Sequence, residues 1–259
     1  MLALDAGGDR NLRPKVNRLQ STSHADPAGG RRRPLVVAAV WSEVTRRAAL
    51  ALRADGAPDV LELRVDGFAS TPARLDALAA AGSPRPLIVT VRHPAEGGLD
   101  PALNDAPRRT LYERFLPVAS WVDIEVRSLR ALAVVAAQAR EHGIKLIASF
   151  HDFGGTPSAR RLRALADRAG GAGADVFKVA TTTRAPGDLA RLLDLLGRDH
   201  GLPLAVMGMG PLGKVSRLAL GTAGSVLNYG YLGGGAQVPG QWPAARLRER
   251  LDELRGDEV

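Results

Sequence analysis

The feature of this sequence that most constrains its fold is an alternation of short apolar runs with longer amphipathic stretches. Several of the amphipathic stretches open with Ser or Thr and close with Gly, which are favoured at the two ends of a helix. Strands that alternate with helices form parallel βαβ units. Eight such runs predict an α/β fold, a (β/α)8 TIM barrel in one domain. The runs are residues 34–40, 60–66, 86–92, 121–126, 145–151, 176–181, 202–208 and 225–230.

An open, doubly wound parallel sheet is the alternative arrangement of the same units. Sheets of that kind often carry a Gly-rich dinucleotide-binding sequence directly after the first strand. No such sequence follows residues 34–40, which favours the closed barrel. The length of 259 residues also suits one barrel domain.

Residues 1–33 differ in composition from the rest of the chain. They are mixed polar, rich in Gly, Asp, Asn and Arg, and they end in three arginines. Segments of this kind bury too little apolar surface to offset the entropy lost on ordering. We therefore predict a flexible basic tail over residues 1–33 and a catalytic barrel domain over residues 34–259.

Composition limits the partners and the compartment. The net charge of +8 would suit nucleic acid, but the basic residues form no stripe with interleaved aromatics, and a small anionic substrate also accounts for arginines. No stretch of about 18 apolar residues lacks charges, and residues 1–18 contain no apolar segment typical of a signal peptide. We expect no nucleic-acid partner, no membrane partner and a cytoplasmic location.

Charged side chains interrupt the apolar runs near their C-terminal ends, which is where the active site of a barrel lies. Glu62, Arg64 and Asp66 alternate along the second run, so we expect all three on one face of the sheet. Buried charges are costly unless they are paired or used in function. Because seven of the eight runs carry polar groups at or just after this end, the pattern predicts an active site there.

Lys178 is the most informative single residue, because apolar and β-branched residues flank it in the sixth run. Burial would disfavour its ammonium and leave a neutral amine able to attack a carbonyl. The alternative is a structural lysine whose head group meets a carboxylate such as Glu125 or Glu62. His151 ends the preceding run, and the ordinary histidine pKa of about 6.5 suits proton transfer near neutral pH, although a structural role is the alternative.

The sequence disfavours metal chemistry. It contains no Cys and no His-x-x-x-His pair, and arginines and Lys178 near Asp123 and Glu125 would oppose a bound Mg²⁺. The Gly clusters at residues 208–210 and 233–235 fit either a phosphate site or a mobile lid. We predict that the protein uses no metal and no cofactor.

The ordered set of motifs resembles the type I 3-dehydroquinate dehydratase family. The motifs span residues 34–241 and read, in order, ELRVD, TVRHPAEGG, DIEV, SFHDF, TPS, FKVA, MGMGPLGKVSRL and PGQ. The resemblance implies a metal-independent, homodimeric lyase of the shikimate pathway, which serves aromatic amino acid biosynthesis. Such an enzyme converts the small-molecule substrate 3-dehydroquinate to 3-dehydroshikimate and water through a lysine Schiff base.

The resemblance also implies roles for the matched residues. Lys178 would form the Schiff base with the C3 ketone, His151 would move protons at C2 and at the C1 hydroxyl, and Glu96 would orient His151. Arg217 would pair with the substrate carboxylate through its planar guanidinium. The remaining substrate contacts would come from Glu62, Arg64 and Arg92 at the ring hydroxyls, Met209 against the ring, and Gln237 and Gln241 from a closing loop.

Two segments depart from the family pattern, and two other functions remain alternatives. Gln237 stands where many relatives carry Ser or a small residue, and residues 1–33 do not resemble the usual N-terminal segment. We predict that residues 231–241 form a mobile lid. A class I Schiff-base aldolase would want a phosphate site after strands seven and eight. A catalytically silent metabolite-sensing relative would not need Lys178 and His151 intact.

Overall fold

The structure, a computed structural model, describes residues 33–53, 55–80, 83 and 85–256. Apart from Arg33, the predicted tail lies outside the described residues. The strands are β1 Leu35–Val40, β2 Val60–Arg64, β3 Leu87–Thr90, β4 Trp121–Glu125, β5 Lys145–Asp152, β6 Val176–Thr182, β7 Leu204–Met209 and β8 Leu227–Gly230. The α-helices are α1 Glu43–Leu50, α2 Asp76–Ala80, α3 Asp105–Phe115, α4 Ala133–Glu141, α5 Ala159–Gly171, α6 Pro186–Leu196, α7 Gly213–Thr222 and α8 Ala244–Gly256.

The strands form one parallel sheet that nearly closes on itself. Its order is β7-β6-β5-β4-β3-β2-β1-β8, and β1 pairs in parallel with both β2 and β8. The two ends of the sheet meet where the backbone N–H of Val226 donates to the Leu204 carbonyl at 2.9 Å. The predicted (β/α)8 TIM-barrel fold is therefore confirmed.

Local sequence accounts for the helices between the strands. Ser42 and Ser158 cap α1 and α5, each accepting a hydrogen bond from the backbone three residues on, which satisfies an N–H that has no partner inside the helix. The outward faces of the strands are apolar; Val36 and Ala38 of β1, for example, pack with Leu247 of α8. The sequence analysis did not identify α8.

Inward-facing side chains alternate with outward-facing ones along each strand, because the side-chain period of a strand is two. Near the N-terminal ends of the strands the interior is apolar, and its residues include Val37, Val60, Ile88, Trp121, Ile147, Val176, Ala205 and Leu227. Two positions further along six of these strands, the corresponding residues are polar. They are Glu62, Thr90, Asp123, Ser149, Lys178 and Tyr229. The barrel interior therefore has an apolar layer followed, toward the C-terminal ends of the strands, by a polar layer.

The expectation that Glu62, Arg64 and Asp66 share one strand face is wrong for Asp66. The strand ends at Arg64, and a 3-10 turn follows over Val65–Phe68. The buried Asp66 carboxylate accepts backbone N–H groups of Arg92 at 3.2 Å and of Leu99 at 2.9 Å. These bonds tie the ends of β2 and β3 to the following loop.

No helix among the described residues is long and apolar enough to cross a membrane.

Candidate active site

Lys178 lies in the polar layer with its amine between two carboxylates. Nζ is 2.6 Å from Asp123 Oδ2 and 3.4 Å from Glu62 Oε1, and the side chain is buried. The expectation of an apolar environment is wrong, because flanking residues such as Phe177 face the opposite side of the strand. Pairing with a carboxylate is confirmed, and the second partner is Asp123 rather than Glu125.

Asp123 joins Lys178 to the next cation. Its Oδ1 accepts from Arg92 Nη1 at 3.0 Å and from Ser149 Oγ at 2.5 Å. Burial alone would raise the pKa of Asp123, but the positive charges of Arg92 and Lys178 hold it well below its usual range. Asp123 is therefore a stable carboxylate anion at neutral pH.

Arg92 connects to a second buried carboxylate, Glu125. Arg92 Nη1 and the backbone N–H of His93 donate to Glu125 Oε1 at 3.0 and 2.8 Å. Behind it, the fully buried Arg108 contacts Glu125 Oε2 and donates to Ser128 Oγ at 2.9 Å. We call the following six residues the charge cluster: Glu62, Arg92, Arg108, Asp123, Glu125 and Lys178. It contains three cations and three carboxylates.

Arg64 makes a separate buried pair with Asp66. Its Nε and Nη2 donate to the two Asp66 oxygens at 2.9 and 2.7 Å, and Nη2 also donates to the Gly97 carbonyl at 2.9 Å. Gly97 takes the left-handed conformation with φ of 84° directly after the Pro94–Glu96 turn. Arg64 therefore helps to position the turn that carries Glu96.

His151 and Glu96, the residues to which the resemblance assigns proton transfer, contact each other. Glu96 Oε2 accepts from the backbone N–H of His151 at 2.9 Å and lies 3.2 Å from its Nδ1. His151 pairs across β5 and β6 with Ala180, while Ser149 pairs with Lys178. His151 is two positions after Ser149, and Ala180 is two positions after Lys178. The His151 side chain therefore lies one layer nearer the C-terminal ends of the strands than the Lys178 amine.

Burial changes the acid–base properties of both members of this pair. It raises the pKa of Glu96 to about 7, against the opposing charge of Arg92. It also lowers the pKa of His151 well below its usual value, and the charges of Arg92 and Lys178 lower it further. His151 is therefore neutral at physiological pH, with Glu96 close to its midpoint.

Arg217 is a buried cation with no carboxylate partner in the described part of the chain. Within residues 33–53, 55–80, 83 and 85–256, its guanidinium bonds only to backbone carbonyls, those of Tyr229 at 2.9 Å, Gly208 at 2.5 Å, Gly240 at 2.7 Å and Gly213 at 3.1 Å. Burial lowers the Arg217 pKa to about 10. No anion among the residues just named pairs with its positive charge.

Glycines make this ring of carbonyls possible. A Cβ on Gly213 would lie 2.7 Å from the Cα of Gly240, and one on Gly240 would lie 2.5 Å from the Gly210 oxygen. Gly240 also has φ of 84°, a conformation that other residues rarely adopt. The MGMGPLG and PGQ motifs therefore pack backbone against backbone around the Arg217 side chain.

The other substrate contacts predicted near β7 and β8 are Met209, Gln237 and Gln241, and they lie in or close to the MGMGPLG and PGQ motifs. Met209 is buried at the end of β7. Gln241 is buried as well, and its Oε1 accepts the backbone N–H groups of Gln237 at 3.0 Å and Val238 at 3.4 Å. The Gln241 amide oxygen thus holds the loop closed on itself, and the Gln237 side chain is half-buried.

Sequence reasoning missed several residues of the site. Thr90, Ser149 and Tyr229 bond to Glu62, Asp123 and Lys178, respectively. Period-two alternation could have found these three, because each lies two positions after an apolar interior residue. Arg108 sits on α3, and no local pattern distinguished it from the exposed arginines around it. Among the described residues, no group of three or more His, Cys, Asp or Glu could hold a metal ion.

A nearly closed parallel barrel with buried ionisable groups at the C-terminal ends of its strands defines a barrel enzyme. Comparison with known proteins specifies the family. The sequence model described as type I 3-dehydroquinase matches residues 36–258. A 3-dehydroquinate dehydratase of Albidiferax ferrireducens is 35% identical over 249 residues, which cover 90% of this chain and 93% of that protein.

Solved structures agree. The crystal structure of 3-dehydroquinate dehydratase from Geobacillus kaustophilus superposes with a TM-score of 0.79 at 30% identity, covering 88% of this chain and 94% of that one. The enzyme from Aquifex aeolicus gives 0.70 at 28% identity, covering 87% and 100%. The chain therefore belongs to the type I 3-dehydroquinase family and is a lyase of the hydro-lyase class that acts on a small molecule of the shikimate pathway.

Proposed function

We propose that this protein converts 3-dehydroquinate to 3-dehydroshikimate and water through a Schiff base on Lys178. The observation that carries the proposal is a buried primary amine one layer beneath a neutral histidine, at the C-terminal ends of the barrel strands. An amine can form an imine with a ketone, and a neutral imidazole can take and return a proton.

The reaction follows from these groups in balanced steps. After losing one proton, Lys178 Nζ adds to the C3 ketone; the resulting neutral carbinolamine takes that proton back as its hydroxyl leaves as water, which gives an iminium ion. The iminium withdraws electrons and acidifies the adjacent C2 proton, which His151 removes. The electron pair forms the ring double bond, the C1 hydroxyl leaves, and His151 returns the proton to it as water. Hydrolysis of the imine consumes one water and restores Lys178.

Glu96 determines which nitrogen of His151 is available. An ionised Glu96 accepts the proton on Nδ1 and leaves the lone pair of Nε2 free to act as a base. A protonated Glu96 would instead donate to Nδ1, and the histidine proton would then occupy Nε2. Only the ionised form of Glu96 supports proton removal by His151.

The unpaired charge of Arg217 supports its assignment to the substrate carboxylate. A buried cation surrounded by carbonyls gains most from an anion that enters with the substrate. Gln237 and Gln241 would then contact the substrate from the lid at residues 231–241, and Met209 would pack against the ring. Glu62, Arg64 and Arg92 would hold the ring hydroxyls.

We also infer that the reaction needs no metal or cofactor, that the enzyme is a cytoplasmic homodimer, and that it binds neither nucleic acid nor membranes. The role of residues 1–33 as a flexible tail beside a catalytic domain of residues 34–259 stays a prediction.

Borohydride trapping tests the Schiff base. With 3-dehydroquinate present, reduction should add the mass of the reduced adduct to the peptide that contains Lys178, and chelator treatment should not prevent it. The control is Lys145→Met, which removes a lysine from the opposite end of a neighbouring strand and should leave the adduct unchanged. An adduct on Lys145 or Lys214 instead would refute the mechanism.

An ultraviolet assay tests the reaction itself. Chelator-treated protein should generate the absorbance of a conjugated enone from 3-dehydroquinate. A class I aldolase would cleave a carbon–carbon bond instead, and a sensing relative would bind the compound without forming the enone.

A further inference from the structure

The Lys178 ammonium has three hydrogen-bond partners, one for each of its protons. Nζ donates to Asp123 Oδ2 at 2.6 Å, to Tyr229 Oη at 3.1 Å and to Glu62 Oε1 at 3.4 Å. A protonated amine is not a nucleophile, so one proton must leave before Nζ attacks a carbonyl. The steps described above do not say which group takes it.

Asp123 is the nearest carboxylate but the poorer acceptor. It already compensates Arg92 at 3.0 Å and accepts from Ser149 at 2.5 Å. Protonating Asp123 would remove one of the two carboxylates that lie 3.0 Å from the fully buried Arg92 guanidinium, and reducing the compensation of a buried charge is costly. A group other than Asp123 should therefore accept the proton at a lower cost in free energy.

Glu62 is less tightly held by cations. The nearest Arg92 nitrogen is 3.9 Å from Oε1, and the closest donor to that oxygen is the neutral hydroxyl of Thr90 at 2.9 Å. Protonating Glu62 leaves Arg92 with its two close carboxylates, Asp123 and Glu125, each at 3.0 Å. Glu62 is thus the carboxylate of the charge cluster that loses least by accepting a proton.

Tyr229 contacts both the donor and this acceptor. Its hydroxyl oxygen accepts from Nζ at 3.1 Å and donates to Glu62 Oε1 at 3.5 Å, while its ring centroid is 4.3 Å from Nζ. Tyr229 is buried on β8, which only β1 separates from β2 with Glu62, and the near-closure of the sheet brings both side chains to the amine of Lys178 on β6.

We propose that the Tyr229 hydroxyl is a catalytic proton relay that activates Lys178 by passing a proton to Glu62. One Nζ–H bond breaks as that proton joins the tyrosine oxygen, and the original hydroxyl proton moves to Glu62 Oε1. Lysine becomes a neutral amine, glutamate becomes a neutral acid, and tyrosine ends as it began. Transfer requires the 3.5 Å contact to shorten toward about 2.7 Å, the usual length for a hydroxyl donor.

Burial, reinforced by the negative charges of Glu62 and Asp123, raises the pKa of Tyr229 well above its usual value. The neutral phenol is therefore favoured over the phenolate, and the proposed relay moves both protons together rather than through a free phenolate. The reverse relay returns the proton to Lys178 when the imine is hydrolysed. This inference rests on the proposed Schiff-base function.

Tyr229→Phe tests the relay because it removes one oxygen and keeps the ring against Nζ. The protein is mixed rapidly with 3-dehydroquinate, quenched with borohydride at successive times, and the mass of the Lys178 peptide is followed. We expect the rate of adduct formation to fall by about a hundredfold or more, the lower end of the range for general acid–base assistance. The extent of labelling at long times should approach that of the wild type.

Tyr112→Phe is the matched control. The Tyr112 hydroxyl is also buried, but it donates to the backbone carbonyl of Asp123 at 2.5 Å and does not contact Lys178. Its loss should lower the melting temperature while the trapping rate stays at the wild-type value. Equal slowing in both variants would mean that the Tyr229 effect is structural and would overturn the relay.

A double variant tests whether Tyr229 acts through Glu62. In the Glu62→Gln background, Tyr229→Phe should slow trapping by less than twofold, because the acceptor is already gone. The proposal is overturned if Tyr229→Phe slows trapping in the Glu62→Gln background as much as it does in the wild-type background. It is also overturned if the single Tyr229→Phe variant traps at the wild-type rate. Absence of any Lys178 adduct in the wild-type protein would instead refute the Schiff-base function.

Discussion

Buried positive charges are compensated differently on the two sides of the C-terminal end of the barrel. On the side of β2 to β6, Lys178, Arg92 and Arg108 all have carboxylate partners within the charge cluster. On the side of β7 and β8, Arg217 has four carbonyl oxygens and no carboxylate among the described residues. Within the structure as described, the three cations and three carboxylates of the charge cluster balance, whereas Arg217 has no anionic partner.

This difference separates two tasks within one cavity. A compensated cluster can hold a reactive amine in place and shift protons within itself, since its total charge does not change. An uncompensated guanidinium can select a substrate by charge, because the incoming carboxylate completes its pairing. The predictions below test this division.

Removing one carboxylate from the charge cluster should have the largest effect. Asp123→Asn keeps the shape but leaves three buried cations with two carboxylates, and breaking such a pair typically costs about 3–5 kcal/mol in the free energy of unfolding. Denaturant unfolding measures the loss. Glu249→Gln, which breaks a half-exposed pair with Arg246, should cost less than about 1 kcal/mol. Similar small losses in both variants would refute the division.

His151→Ala should form the imine but turn over at least ~10²-fold more slowly, the usual size of acid–base assistance. Borohydride adduct formation and enone production, measured on the same sample, separate the two steps. His142→Ala, at the exposed end of α4, is the control and should match the wild type. Near-normal turnover by His151→Ala would exclude His151 as the proton carrier.

Arg217→Lys should keep the charge but lose the planar fork, and the KM for 3-dehydroquinate should rise by roughly 10–100-fold. That range corresponds to about 1.5–3 kcal/mol for a hydrogen bond to a charged group. A substrate analogue with a carboxamide in place of the carboxylate should bind the wild-type enzyme more weakly by the same factor. Its binding to the Arg217→Lys variant should be weakened little further. If kcat/KM does not change, Arg217 does not bind the carboxylate.

Activity should depend on pH through Glu96. Because its pKa is raised to about 7, Glu96 gains a proton as pH falls through that value, and His151 then loses its free Nε2. kcat/KM should therefore decline below pH 7 and be about tenfold lower one unit beneath the midpoint. Glu96→Gln should abolish this decline; a variant that keeps the same midpoint would assign the titration to another group.

The same shift has a consequence for stability. A carboxyl whose pKa is higher in the folded than in the unfolded state loses stability as pH rises between the ordinary value of 4.5 and about 7. The unfolding free energy of Glu96→Gln, relative to the wild type, should therefore increase across this window. A difference that is constant with pH would contradict the raised pKa.

The smallest effect is expected in the loop on the Arg217 side. Gln237→Ala should raise KM by about two- to tenfold, as the loss of one neutral hydrogen bond would. Limited proteolysis within residues 231–241 should slow when a product analogue is bound, because a closed lid protects its backbone. Equal cleavage with and without the analogue would argue against a lid, and unaltered kcat/KM would leave Gln237 without a role in binding.

The sequence by itself determined the architecture and most of the candidate site. Alternation of apolar runs with helical stretches is a local property, so it predicted all eight strands, with ends displaced by no more than about two residues. The motif order pointed to Lys178, His151, Glu96 and Arg217. The fold and the His151–Glu96 contact agree with that prediction.

Only the tertiary structure decided how the charges are compensated. Lys178 and Glu62 are 116 residues apart and Tyr229 and Glu62 are 167 apart, so no local pattern could report that all three meet. The apolar neighbours of Lys178 in sequence face away from its amine, whereas the carboxylates arrive from other strands when the sheet closes. Arg108 becomes part of the site for the same reason, since the packing of α3 on the barrel places it behind Glu125.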